Sequence, residues 1–166
     1  MEQFCAALNP DTELKAVGLS NNPGQCYYAK FPTLSELDAA YGPGAGALWL
    51  VPQLKSLGEM SGAKQKLTTR QYRTLATQIA ARHKDIKVSE LLLLFAAIKS
   101  GRYGKFYGAV DPMQIGQAID SYIKSEDRLY SILRERTKRD LKRRDIEARQ
   151  AITREQWEAI KSKYAK

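Results

Sequence analysis

Residues 89–101 read SELLLLFAAIKSG, and the fold turns on this stretch. From Leu91 to Ile98 every side chain is apolar. Ser89 is expected to cap a helix here and Gly101 to end it. A helix that is apolar all round has no face to give to water, so it belongs in the middle of a bundle. The run is also far short of the ~20 residues that cross a bilayer, so a membrane is not an expected partner.

On the N-terminal side of this helix, "TTRQ" (Thr68 to Gln71) has the form of a capping box. It would open a helix whose apolar members Tyr72, Leu75, Ala76, Ile79 and His83 recur at steps of three and four. Before it, "ALWLVPQLKSL" reads as helical, with Pro52 marking a kink or a start. "TLSE" at Thr33 is a second capping box, and its helix ends near the glycines of "YGPGAG". Residues 1–32 form an irregular N-terminal segment, punctuated by Asn9-Pro10, "NNPG" and Phe31-Pro32. Within it "QCYYAKF" (residues 25–31) suggests one short strand.

On the C-terminal side, Asp111 followed by Pro112 is a good helix start, because the first position leaves its amide unpaired anyway. The helix it opens is predicted to run nearly to Arg149. Ile115, Ile119, Tyr122, Ile123, Leu129, Tyr130 and Leu133 keep up its apolar face. "TREQ" at Thr153 opens a short last helix on which Trp157, Ile160 and Tyr164 share one face. The fold class is all-α. A small helical bundle spans residues 33–133, and a basic, partly projecting helical extension spans 134–166.

Charge is the strongest global signal. The 166 residues carry 27 lysines and arginines against 18 aspartates and glutamates, a net +9. Residues 1–63 hold 3 cations and 6 anions, residues 64–123 hold 10 and 4, and residues 124–166 hold 14 and 8. Two thirds of the chain is therefore basic, which favours polyanions by releasing their condensed counterions. The two cysteines, Cys5 and Cys26, form neither a CxxC pair nor a disulfide framework, and the chain begins acidic, without the basic start of a signal peptide. A reduced, cytoplasmic setting in a bacterial host cell is the expectation.

The inventory for catalysis is thin. The single histidine, His83, lies on an apolar stripe, where a hydrogen-bonded core role is expected. There is no HExxH, P-loop or GxSxG pattern and no Cys/His cluster for a metal. No catalytic residue, cofactor or metal site is predicted.

Two stretches point to nucleic acid. After the apolar helix comes "GRYGKFYGAVDP" (residues 101–112), with two cations and three rings between glycines. Rings on such a loop can stack on unpaired bases while cations meet phosphates. The same rings could instead plug the end of the bundle. A mixed role is expected, with Phe106 buried and Arg102, Lys105 and one of the tyrosines Tyr103 and Tyr107 exposed. The second stretch, residues 134–149, holds 8 cations and 4 anions. At about 100° per residue Lys138, Arg139, Lys142 and Arg143 fall in one broad sector. Pairs at four-residue spacing, Glu135–Arg139, Asp140–Arg144 and Asp145–Arg149, would support a solvated helix whether or not it binds anything.

"WLVPQLKSLGEMSG", "LTTRQY" and "KVSELLLLFAAIKSGRYGKFYGAVDPMQI" resemble an uncharacterised family of small helical proteins encoded by bacteriophages and mobile elements. The resemblance covers about residues 33–128. It implies a helical fold and a phage or mobile-element origin, and it carries no activity or catalytic residue.

The expectation is a non-enzymatic nucleic-acid-binding accessory protein, acting in replication or element maintenance. Its contacts would be driven by the DNA or RNA backbone. The alternative is an adaptor or inhibitor that engages an acidic or replication-related protein through the basic C-terminal helices and Trp157, Ile160 and Tyr164. Under the first reading that stripe docks on the chain's own bundle.

Overall fold

Several helix starts in this chain are set by short polar side chains that accept the amides a first turn leaves unpaired. The structure is a computed structural model, and it describes residues 1–10, 24–28, 30–60, 64–103, 110–151 and 153–164. Among these the helices are α1 (Glu2–Ala7), α2 (Gly24–Tyr28), α3 (Leu34–Tyr41), α4 (Ala45–Met60), α5 (Thr69–Arg82), α6 (Val88–Lys99), α7 (Pro112–Ile123), α8 (Glu126–Gln150) and α9 (Arg154–Tyr164). The described residues form no strand, and one isolated bridge pairs Thr33 with Lys87. The fold is all-α.

Three capping boxes form as their sequences predict. Thr33 Oγ1 accepts the Glu36 amide at 3.2 Å while Glu36 accepts the Thr33 amide at 2.7 Å. Thr68 and Gln71 exchange the same bonds at 3.3 and 2.8 Å, and Thr153 and Gln156 at 3.2 and 3.1 Å. Asp111 accepts the Met113 amide at 2.8 Å with Pro112 in the first turn.

Three expectations are corrected. Ser89 does not cap α6: the cap position is Lys87, and Ser89 lies inside the helix, fully buried. Its hydroxyl donates to the Cys26 carbonyl at 2.7 Å, so it fastens α2 to α6 instead. The proposed strand at "QCYYAKF" is helical over Gly24–Tyr28, where it packs on α6. An isolated strand would leave its ladder unpaired, whereas a helical turn satisfies its own backbone. Finally, the long fifth helix is two helices. The chain breaks at Lys124–Ser125, where the Ser125 amide returns to the Tyr122 carbonyl at 3.0 Å and Ser125 Oγ accepts the Arg128 amide at 3.3 Å. Ser125 followed by Glu126 and Asp127 is itself a helix start, because those carboxylates favour the positive end of a helix dipole.

The centre is α6, as its composition requires. Val88, Leu91, Leu92, Leu94, Phe95 and Ile98 are all buried, and α2, α4 and α7 pack on it. Each such side chain contributes roughly 1.5–3 kcal/mol by leaving water. α4 supplies Trp49, Leu50, Leu54 and Leu57 to the same core and is packed by α3 and α5. It continues through Pro52, which is exposed. Close approach fixes two of its positions: a Cβ at Gly46 would stand 2.9 Å from the Leu34 carbonyl, and one at Gly58 would overlap the Tyr72 hydroxyl. Backbone bonds from Leu34 to Ile86, Ser35 to Lys84 and Val88 to Pro32 stitch the start of α3 to the α5–α6 turn.

α6 ends as the sequence predicts, at Gly101. Its φ of +82° lets the Gly101 amide reach the Ile98 carbonyl and the Arg102 amide reach the Ala97 carbonyl, at 2.9 and 3.1 Å. Only glycine adopts this backbone without strain. The chain divides into two units, Met1–Arg128 and Leu129–Lys166.

Candidate nucleic-acid interface

α8 is long because little stops it. From Glu126 to Gln150 it contains neither glycine nor proline, its first turn holds two carboxylates and its last turn Arg149. It has no buried residue along its 25 positions. Leu129, Tyr130 and Leu133, expected on a buried apolar face continuous with α7, are 57, 67 and 51% exposed. The break at Lys124–Ser125 is the reason, since it separates their register from the buried stripe of Ile115, Ile119 and Tyr122 on α7.

The four cations placed in one sector stand on this exposed helix. Arg139 pairs with Glu135 at 3.4 Å. Arg143 lies 3.5 Å from Asp140 and 3.8 Å from Glu147, so Asp140 takes Arg143 three residues on in place of Arg144. Lys138 and Lys142 have no ion-pair partner among the described residues. The arginines are therefore held along the helix by exposed pairs of small worth, and the two lysines are the free cations of the sector.

The loop after α6 is placed in part. Lys105, Phe106 and Tyr107 lie outside the described residues. Arg102 is exposed, and its guanidinium meets Asp127 in the first turn of α8 at 3.3 Å. Tyr103 is half-buried and meets Tyr122 edge-on, with ring centroids 6.5 Å apart and planes at 88°. Both residues are thus tied to the junction of α7 and α8.

That junction holds a buried network the sequence did not disclose. Arg128 Nε and Nη2 donate to the two carboxylate oxygens of Glu90, the second at 3.3 Å. The guanidinium also lies over the Tyr122 ring, 5.9 Å from its centroid. The Tyr122 and Tyr27 hydroxyls are 3.2 Å apart. Burial pushes the Tyr122 hydroxyl far above its ordinary range, and the Glu90 charge adds to the shift. For Arg128 burial works against the charge, but its hydrogen bond to Glu90 and that residue's charge outweigh it, and the guanidinium is held more firmly protonated. The clue was Glu90 within an otherwise apolar helix, since a buried carboxylate needs a cation.

His83 stands at the end of α5, where Nε2 lies 3.1 Å from Asp120 Oδ1 on α7, and Arg82 joins the same carboxylate at 3.3 Å. This is a bridge between helices, in keeping with the hydrogen-bonded role expected of it. The described residues contain no group of three metal-binding side chains and no helix long and apolar enough to cross a membrane.

On α9, Trp157, Ile160 and Tyr164 are 54, 39 and 81% exposed. The short helix has no buried residue.

Residues 66–163 match a family of unknown function (DUF6633). The match leaves out residues 33–65 of the resemblance seen in the sequence and extends beyond its residue-128 limit through the basic helices. No curated protein and no solved structure matches the chain.

Proposed function

We propose that this chain, which belongs to the family of unknown function DUF6633, is a non-enzymatic accessory protein that binds nucleic acid through α8, in the replication or maintenance of a phage or mobile element. One observation carries the reading. Residues 134–149 hold 8 cations and 4 anions on a helix with no buried residue, so the positive charge of this stretch is open to solvent. Lys138, Arg139, Lys142 and Arg143 make the backbone contacts, the lysines directly and the arginines by exchanging an exposed carboxylate for a phosphate. Arg102, at the junction, adds a second basic contact, together with Tyr103, Lys105 and Tyr107 of the same loop.

The test is fluorescence anisotropy of single- and double-stranded DNA and RNA against the full chain across a salt series. Phosphate contacts to duplex DNA give a log–log slope of roughly −0.9 each. Salt-independent binding, or no binding to any of the four, rejects the reading.

A further inference from the structure

The positive sector occupies only one side of α8. On another side Tyr130, Leu133, Thr137 and Leu141 follow one another at steps of three, four and four, the spacing of a continuous helical stripe. Tyr130, Leu133 and Leu141 are 67, 51 and 56% exposed. Arg134, Lys138 and Lys142 run beside them at four-residue steps, and Asp145 closes the far end. These eight residues line one open face of the helix. Exposed apolar side chains in one row, bordered mainly by positive charge, suit the docking of an amphipathic helix.

We propose that this face of α8 is a docking surface for an acidic amphipathic helix of a partner protein. The apolar stripe covers eleven steps of 1.5 Å, roughly 16 Å, which is three turns of an opposing helix. Such a helix anchors with residues at i, i+3 or i+4, and i+7. The charge of the rim decides what surrounds those anchors. Three cations against one carboxylate call for glutamate or aspartate on the partner's flank.

A second copy of the chain is the other candidate, and the same rim argues against it. Residues 129–166 hold 12 cations and 6 anions, so two copies bring like charge together. In an antiparallel pair the Arg134–Lys138–Lys142 row faces its own copy. The stripe also fails as a heptad seam, because the positions after Thr137 that would continue it are Asp140 and Arg144. The apolar anchors contact no phosphate, so the docking surface stands independently of the nucleic-acid reading, although Lys138 and Lys142 border both faces.

The experiment uses the full chain and labelled helical peptides of about 18 residues, or five turns. One carries a leucine stripe flanked by glutamate, a second the same stripe flanked by lysine, and a third keeps glutamate but has serine for leucine. The first is expected to bind at least roughly tenfold more tightly than either control. Leu133→Gln with Leu141→Gln, both exposed positions, should weaken it by a similar factor and leave oligonucleotide binding unchanged. Lys138→Glu with Lys142→Glu should shift the preference towards the lysine peptide. Equal binding of the leucine and serine peptides overturns the proposal, since charge alone would then explain it. So does failure of every peptide while oligonucleotides bind. A dimer in sedimentation that Leu133→Gln dissociates also overturns it, by making a second copy the occupant.

Discussion

Arg128 grips Glu90 with two donors, Nε on one carboxylate oxygen and Nη2 on the other, and the pair joins the first turn of α8 to the central helix α6. The Glu90 side chain is 5% exposed and that of Arg128 24%. A bidentate pair this far from water is costly to break from one side, because the remaining charge is left without solvent or partner. Arg128→Met should therefore destabilise the chain by about 3 kcal/mol, the low end for a buried pair, since the arginine keeps some contact with solvent. Replacing both, with Glu90→Gln added, should recover much of that loss. Urea denaturation of the two variants measures the difference. A loss below about 1 kcal/mol in Arg128→Met would mean that the Glu90 carboxylate finds water or another donor at little cost.

The same pair shows which parts of the molecule can be read from sequence. Caps were legible at Thr33, Thr68, Asp111 and Thr153, because each needs only a side chain and an amide two or three residues away. The central place of α6 was legible because composition alone forbids it a wet face. Ser89 was misread, since a serine before an apolar run has the form of a cap. Its true partner, the Cys26 carbonyl, is 63 residues distant. The break at Ser125 was available in "SED" but masked by the apolar residues on either side of it. Of the nucleic-acid candidates, the sequence located the charge on α8, and the structure added which charges are already answered. Only coordinates could show that Tyr130, Leu133 and Leu141 remain exposed.

Alkaline pH tests the buried network. Burial, and then the Glu90 charge, raise the Cys26 thiol from its ordinary value of 9.0 to about 11. Tyr27 and Tyr122 are raised above 10.0, in both cases mainly by burial. In each case the folded chain holds its proton more tightly than the unfolded chain, so the stabilisation is complete below the unfolded value and lost as pH climbs. The urea midpoint should accordingly stay level up to about pH 9 and fall between 9 and 11, with the tyrosines contributing above 10. Cys26→Ala should delay the decline to about pH 10. An unchanged onset near pH 9 in that variant would acquit the thiol.

Neutralising the positive sector tests α8 as the contact surface. Lys138→Gln, Arg139→Gln, Lys142→Gln and Arg143→Gln together remove four cations from a helix with no buried residue, so melting temperature should hold. Affinity for duplex DNA should fall, and the salt slope should become shallower by up to roughly 3.6 if all four meet phosphates. Returning only Lys138 and Lys142 should restore more than returning only the arginines, which have Glu135, Asp140 and Glu147 beside them. A quadruple variant that binds as well as the parent would reduce this helix to a solvated strut.

Removing α9 separates a structural role for Trp157, Ile160 and Tyr164 from an external one. Their spacing makes one apolar stripe, and eleven residues are too few for a helix to persist on propensity alone. Had the stripe served the chain's own core, truncation after Ala151 would lower the melting temperature, by roughly 2–4 °C for each kcal/mol lost in a chain of this size. Tyr164 is 81% and Trp157 54% exposed. The truncated chain should melt within about 2 °C of the full one, a shift worth no more than about 1 kcal/mol. Nucleic-acid affinity should fall only modestly, because residues 152–166 hold 4 cations and 2 anions against the 8 and 4 of residues 134–149. Differential scanning calorimetry and the same anisotropy series measure both quantities on one preparation. A drop of several degrees would show that the stripe does find its place on the folded chain. A large loss of nucleic-acid affinity at constant melting temperature would move the principal contact from α8 to α9, with Trp157 and Tyr164 as the rings that stack.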